Sequence, residues 1–527
     1  MRSADPATPS AAPRPAAQSG ADDLVVETVH GVDVRCYAVR PGSVVQVLQD
    51  ALAVGRRDDV LLVDPALDRT VTYGEFAALV EGAAAALAAR CAPGDRVAFL
   101  GRNGLEAAVV IWACARGGLI HVGLPIDAPP ARHADLLDLV GASLVLVQSG
   151  LPLDGENAAL LLANPRPWDA TRPLPDQDAT YSLIPTSGTT GRPKAVRVTG
   201  RMTGHAAVFY TRTLGLTPAD RTAIHLPFAW VSGHVTQLAP AMHSGGSAVT
   251  MPGFTAPGLV EVCREHGVTW LDLVPALFET LLRTSSFRGA DLPRVRLAVF
   301  GGAPAPAGTL DRVRAAVPGM RLFDVYALSE TCAPVTFLPD ADSERRAGTV
   351  GAPAPYVDLR LVGADGATVA RGEPGEIWVR GPVVTPGYWG GAEAAPVTAG
   401  GWLRTGDIAR MDSEGFLTMG GRAVDLIIRG GVNVYPGEVE RALLATGLLA
   451  DASAVGVPSH VTGQNVAAAV VALPGTDPSP AALRQAVAGA LGIHAVPRPL
   501  RILDALPRNP NGKVDRAALA ALLTRPP

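Results

Sequence analysis

From residue 95 onward the chain alternates short β-branched runs with longer Ala/Leu-rich stretches of helical period. "RVAFL", "SLVLVQ" and "TYSLIP" read as buried strands, and "LEAAVVIWACARGG" as a helix between the first two. The order repeats further on: "GVTWLDLV", "RVRLAVF" and "RLFDVY" are strand-like, with the helical "PALFETLLRT" and "PAGTLDRVRAAV" between them. Such alternation predicts parallel sheets covered by helices, with ligands at the C-terminal ends of the strands. Around residues 373–420 the texture changes to a β-meander: "GEIWVRG", "GWLRTGDIARMD", a "SEG" turn and "FLTMGGR". After Arg422 a fresh set begins, with "PGEVERALLAT" and "PAALRQAVAGAL" helical and "ASAVGV" and "VAAAVVAL" as strands. The fold class expected is α/β. A disordered Ala/Pro/Ser-rich leader (1–24) precedes a large domain of parallel α/β sheets with a small β-subdomain (25–421). A small α+β domain (422–527) follows.

Composition narrows this. Apolar residues make up 48% and charged ones 18% of 527, which predicts well-filled cores and excludes a disordered chain. A net charge of -4 gives no electrostatic case for nucleic acid or an anionic membrane. Residues 222–260 hold no Asp, Glu, Lys or Arg. Gly, Pro, Gln237, His225, His234 and His243 interrupt them, so they predict a kinked interior segment lining a pocket and not a membrane span. Five dispersed cysteines, at 36, 91, 114, 263 and 332, predict buried reduced thiols of a cytoplasmic protein and no cysteine metal site.

Candidate chemistry begins with "TSGTTGRPK". Thr186, Ser187, Thr189 and Thr190 supply hydroxyls, Gly188 and Gly191 let backbone N–H groups approach an anion, and Lys194 adds a compact charge: a polyphosphate cradle. Pro193 before the lysine breaks the GxxxxGK[ST] pattern. The chain has only two lysines, Lys194 and Lys513 in "LPRNPNGK"; all its other basic residues are arginine. Survival of just these two suggests sites where a planar guanidinium cannot replace a small ammonium.

In order along the chain stand "TSGTTGRPKAV", "VYALSE", "GEIWVRGPVVTPGYW", "GWLRTGD", "GRAVDLIIRGGVNVYPGEVE" and "LPRNPNGK". This series resembles the adenylate-forming superfamily of acyl-CoA synthetases, luciferases and peptide-synthetase adenylation domains, and its wording is nearest to acid:CoA ligases. The resemblance implies ATP and Mg²⁺, formation of an acyl-AMP, and transfer to the thiol of CoA or of a carrier protein's phosphopantetheine. It implies Asp407 on the ribose hydroxyls, Arg422 toward ribose and phosphate, Tyr326 stacked on adenine and Asp324 accepting from its amino group. Gly302 and Ala303 fall on the nucleotide side. Ser329 would bind phosphate, Glu330 the metal side, and Lys513 would bridge the acyl oxygen and the α-phosphate. The resemblance also makes residues 422–527 a small mobile lid domain, with Gly430 and Gly431 forming the thiol-channel loop and Val424 and Asp425 the hinge. Partners implied are a small-molecule acid and CoA or a free-standing carrier protein; a homodimer is compatible.

The sequence also departs from the family's pattern. Trp230 stands where a histidine or another aromatic is common, with His234 four residues on, read as a satisfied interior histidine. Ala327 and Ala195 replace glycines, and the hinge position is Val424. The acyl pocket expected from Trp230, Val231, His234, Gly301, Ala327, Leu328, Thr331 and Cys332 is largely apolar with no evident carboxylate, which favours a non-amino organic acid. An adenylation enzyme loading a carrier protein or an amine in a natural-product pathway is the alternative. A nucleotide-binding module without turnover is a third reading, against which Lys194, Glu330, Asp407, Arg422 and Lys513 argue.

Overall fold

The expected strands assemble into two large sheets that share one apolar core. The structure is a computed structural model. It describes residues 23–524 except 164–165, 170, 188–192, 285, 304, 306–307, 391–395, 430–431, 460 and 509–512. In the nine-stranded sheet, Arg321–Tyr326, Leu297–Gly301, Trp270–Leu273, Arg221–Ile224, Ser247–Thr250 and Val60–Asp64 run parallel, with antiparallel strands at both edges. The six-stranded sheet is parallel around Arg96–Leu100, and the hairpin of Thr180–Ser187 with Pro193–Thr199 closes one edge. Helix Leu105–Gly117 is apolar on nearly every face and is buried from Leu105 to Arg116, as an all-round apolar helix must be.

The meander is larger than expected. Asp358–Val362 pairs with Gly375–Arg380 ahead of Leu403–Met411 and Leu417–Arg422, making four antiparallel strands. The leader also needs correcting at its end: Leu24 opens a strand, Leu24–Val29, paired with Val32–Tyr37. The expected kinked segment contains a π-helix, Ser232–Leu238, whose widened turn is a local distortion often found at functional sites. All five cysteines are buried and free. Among the described residues, no helix is long and apolar enough to cross a membrane.

From Ile427 onward the strands form a separate sheet, Val432–Val434, Ile427–Arg429, Gly463–Ala472 and Leu449–Ser459, joined by Leu500–Ile502. Apolar clusters around Ile427, Val439, Val466 and Leu483 and around Val455 and Leu519 fill its two faces. This unit lies against the meander through helix Pro436–Leu444. Glu438 Oε1 accepts from Arg410 Nε at 2.7 Å, and Arg441 donates to the Met419 carbonyl. A Cβ on Gly437 would lie 3.0 Å from the Gly420 carbonyl carbon and oxygen, so any larger residue would push the two backbones apart.

Candidate active site

The parallel strands deliver their C-terminal ends to one edge, and the nucleotide candidates lie there. Asp324 and Tyr326 end the strand Arg321–Tyr326, next to Gly301 at the end of Leu297–Gly301. A Cβ on Gly301 would fall 2.3 Å from the Val325 carbonyl oxygen, which fixes glycine at that position. The chain then turns through Ala327, Leu328, Ser329 and Glu330, all partly accessible. The Thr331 and Cys332 N–H groups both donate to the Leu328 carbonyl at 3.1 Å, and the Leu328 N–H donates to Thr331 Oγ1 at 3.2 Å, which closes the turn. Burial raises the Asp324 pKa to about 7, against the pull of the Val325 N–H.

Asp407 stands directly opposite Arg422 in the antiparallel ladder, so their side chains share a face. Arg422 Nε lies 3.0 Å from Asp407 Oδ1, and the Tyr326 hydroxyl donates to Oδ2 at 2.7 Å. Asp407 is 6% exposed. Burial raises its pKa; Arg422, the tyrosine hydroxyl and Lys513 pull it back, and Glu330 pushes it up again. Burial and the nearby Asp407 carboxylate also hold the Tyr326 phenol well above its ordinary range.

Lys194 pairs with Thr186 across the hairpin, and its ammonium sits 5.1 Å from the centre of the Tyr388 ring. The Tyr388 hydroxyl donates to Glu330 Oε1 at 2.7 Å, and the Thr385 N–H donates to the Glu330 carbonyl at 2.8 Å. Tyr388 thus links both charged candidates, a role its place in "GPVVTPGYW" does not reveal. Gly188, Thr189, Thr190, Gly191, Gly430 and Gly431 lie outside the described residues, and of Ser187 and Val424 only the backbone is described. Asp425 pairs with Arg516 at 3.3 Å.

Lys513 arrives from the C-terminal unit. It is open to water, but it stands in a cleft where surrounding protein displaces enough solvent to lower its pKa. Arg422 lowers it further, and Asp407 and Glu330 oppose the shift. Four segments thus bring Glu330, Asp407, Arg422 and Lys513 close enough to act on one another's ionisation. Among the described residues, no three His, Cys, Asp or Glu side chains gather as a metal cage. One carboxylate oxygen at Glu330 suits Mg²⁺, which keeps water and substrate phosphate as its other ligands.

The expected acyl wall divides in two. Trp230, Val231, Gly301, Ala327 and Leu328 are partly accessible, as are Ala303 and, more fully, Gly302. His234, Thr331 and Cys332 are closed off behind them at 0%, 0% and 1% exposure, because the turn and the π-helix direct them into the core. His234 is interior but not satisfied. Neither ring nitrogen has a hydrogen-bond partner of good geometry among the described residues. Burial lowers its pKa to about 4, against a pull from the Trp230 and Phe228 carbonyls, which lie close but poorly aligned. Behind Trp230 and Val231 the π-helix meets a carboxylate that sequence reasoning missed. Asp272, in "TWLDLVP", lies 2.8 Å from Thr236 Oγ1 of the π-helix.

Fold and cleft define an enzyme that works on a nucleotide beneath a small capping unit. Comparison with known proteins reaches the same class. The model of the AMP-binding enzyme family matches residues 49–389, and that of the AMP-binding enzyme C-terminal domain matches 438–513. An indoleacetate–CoA ligase of Aromatoleum aromaticum is 32% identical over 87% of this chain and 94% of its own. A fatty acid–[acyl-carrier-protein] ligase, ScoC, of Streptomyces coeruleorubidus is 29% identical over 86% and 91%. The o-succinylbenzoate CoA synthetase of Bacillus subtilis, solved with ATP and magnesium, superposes with a TM-score of 0.78 at 29% identity, covering 90% of this chain and 98% of that one. The chain belongs to the AMP-binding enzyme family, as an acid–thiol ligase of the AMP-forming acyl-CoA synthetase type.

Proposed function

We propose that the cleft activates an organic acid lacking an α-amino group and passes its acyl group to CoA, with Lys513 as the catalytic residue of the first step. An oxygen of the acid's carboxylate attacks the α-phosphorus of ATP in line; the bond to the bridging oxygen breaks, and its electron pair leaves with pyrophosphate. Negative charge grows on phosphoryl oxygens, so fixed cations and donors supply most of the rate. Lys513 meets the acyl and α-phosphate oxygens, Lys194 and the hairpin hydroxyls hold the polyphosphate, and Asp407 and Arg422 hold the ribose. Tyr326 and Asp324 take the adenine. Glu330 would hold Mg²⁺, which neutralises phosphate charge when bound. The thiolate of CoA then attacks the acyl carbon and AMP leaves with the bonding pair. A turn of residues 422–527 about Val424 and Asp425 would withdraw Lys513 and bring in Gly430 and Gly431.

The observation that carries this reading is the convergence of Lys513 on Asp407, Arg422 and Glu330. Acid-dependent exchange of pyrophosphate into ATP tests it. Lys513→Ala should lose exchange at least about 100-fold, as for loss of one oxyanion contact, yet still transfer from a supplied acyl-adenylate to thiol. Full exchange activity in Lys513→Ala refutes the role. The similarity to ScoC favours a second acceptor, a carrier protein's phosphopantetheine. A competent acid that yields no CoA adduct but loads a holo-carrier would select it.

A further inference from the structure

Asp272 is the one carboxylate in an otherwise apolar row. It shares a sheet face with Trp270 and with its ladder neighbour Val299, followed by Phe323 on the next strand; all three belong to the main core. Leu271 and Leu273 point to the opposite face, into a separate cluster with Ala298 and Phe300. Thr236, which donates to Asp272, lies in the π-helix that follows directly on Trp230 and Val231, so the carboxylate stands beside the segment that carries those two acyl-wall residues. Asp272 keeps part of its surface accessible, although the protein packed around it raises its pKa.

Its partners do not satisfy it. Oδ2 lies 2.8 Å from Thr236 Oγ1, whose single proton is shared with the Ser232 carbonyl at 3.0 Å. No described cation forms an ion pair with it, and no described group donates to Oδ1. The buried Tyr210 phenol is near enough to feel its charge. Without a ligand, burial pushes the Asp272 pKa up to about 7. A buried carboxylate with an open acceptor oxygen is costly unless something completes it. Its strand stands two ladder steps from the strand of Tyr326, or roughly 10 Å at about 4.8 Å per step. On the ligase reading, a group meeting Asp272 would lie away from the nucleotide end of the cleft and so distal to the reacting carboxyl.

We infer that Asp272 is a specificity-determining residue that selects acids carrying a hydrogen-bond donor, hydroxyl or amino, distal to the carboxyl. The inference rests on the ligase reading above. It explains why the pocket keeps a carboxylate among apolar walls: an acid that ends in carbon leaves Oδ1 without a partner, and a donor-bearing acid supplies one.

Pyrophosphate exchange with matched acids tests it: 3-phenylpropanoate and its para-methyl, para-hydroxy and para-aminomethyl forms, and hexanoate with its 6-hydroxy and 6-amino forms. The wild-type enzyme should favour a donor-bearing acid over its carbon-ended match by about 10- to 100-fold in kcat/KM, the worth of a hydrogen bond to a charged group. Asp272→Leu should abolish or invert that preference by improving the carbon-ended acids. Asp272→Asn, which keeps the shape and an acceptor oxygen, separates the two donors: hydroxyl acids keep most of their preference and ammonium acids lose it. Thr236→Val leaves the carboxylate in place and should keep the preference. Equal preference in wild type and Asp272→Leu, or a wild-type preference for carbon-ended acids, overturns the inference and leaves the ligase reading intact. Absence of exchange with every acid overturns both.

Discussion

Tyr326 carries two separable duties, and removing one oxygen atom tells them apart. In Tyr326→Phe the ring that would stack on adenine stays, and the 2.7 Å bond to Asp407 goes. Asp407 is 6% exposed, so water cannot fully replace the lost donor. A hydrogen bond to a charged buried group contributes about 2 kcal/mol, which is roughly 30-fold in an equilibrium constant. Loss of the bond raises the Asp407 pKa further, so the carboxylate is less often ionised and holds ribose less well. We expect AMP to bind about 30-fold more weakly by calorimetry, with KM for ATP rising in parallel. Stability gives an independent reading. The folded pKa of Asp407 lies above its unfolded value, so the fold is penalised as pH rises through that interval, and Tyr326→Phe widens the penalty. The variant should therefore lose more stability to urea at pH 8 than at about pH 3, below the ordinary aspartate value of 3.8, where the carboxyl is largely protonated in both states. Tyr326→Leu should weaken AMP by a further 1–3 kcal/mol or so, the worth of one base–aromatic stack. If Tyr326→Phe binds AMP and unfolds like the wild type at pH 8, the bond has no role in holding the nucleotide site.

Two further outcomes are expected. The lowered pKa of Lys513 means its ammonium is lost as pH rises through a value below the ordinary lysine range. Exchange activity should fall on that alkaline limb, and Arg422→Gln, which removes a repelling cation, should move the limb to higher pH whatever it does to the rate. An unmoved limb refutes the coupling. Gly437→Ala places a methyl 3.0 Å from the Gly420 carbonyl, an overpacking that costs about 1–3 kcal/mol. It should slow exchange by roughly 5- to 100-fold and leave transfer from a supplied acyl-adenylate within about threefold of wild type; equal slowing of both steps would show general damage instead.

Most of the strands and helices were legible because their signal is local. "RLFDVY" and "LEAAVVIWACARGG" carry their periodicity within themselves, and so does the order of motifs that brings Asp407, Arg422 and Lys513 to mind. What the sequence hid depends on tertiary meeting. Tyr388 gains its meaning only where the hairpin carrying Lys194 comes beside the turn carrying Glu330. Asp272 reads as an ordinary polar interruption of a strand until its sheet face is known. The π-helix at Ser232–Leu238 has no periodic signature in seven residues rich in Ser, Gly and Thr. For the same reason the full burial of His234, Thr331 and Cys332, all expected on the acyl wall, is not legible in their motifs.

The scarcity of lysine has a chemical consequence beyond catalysis. A mixed anhydride of an acid and AMP acylates unprotonated amines as well as thiols, and an enzyme that holds one is exposed to its own intermediate. Side-chain amines are the usual targets of such self-acylation, and this chain offers only Lys194 and Lys513. Lys194 lies over an aromatic ring beside an acid, while Lys513 stands beside Asp407, Arg422 and Glu330, where on the proposed reading the anhydride would form. Damage from a stalled turnover would therefore concentrate on Lys513, and an acyl adduct there would read out, by mass alone, which acid the enzyme had last activated.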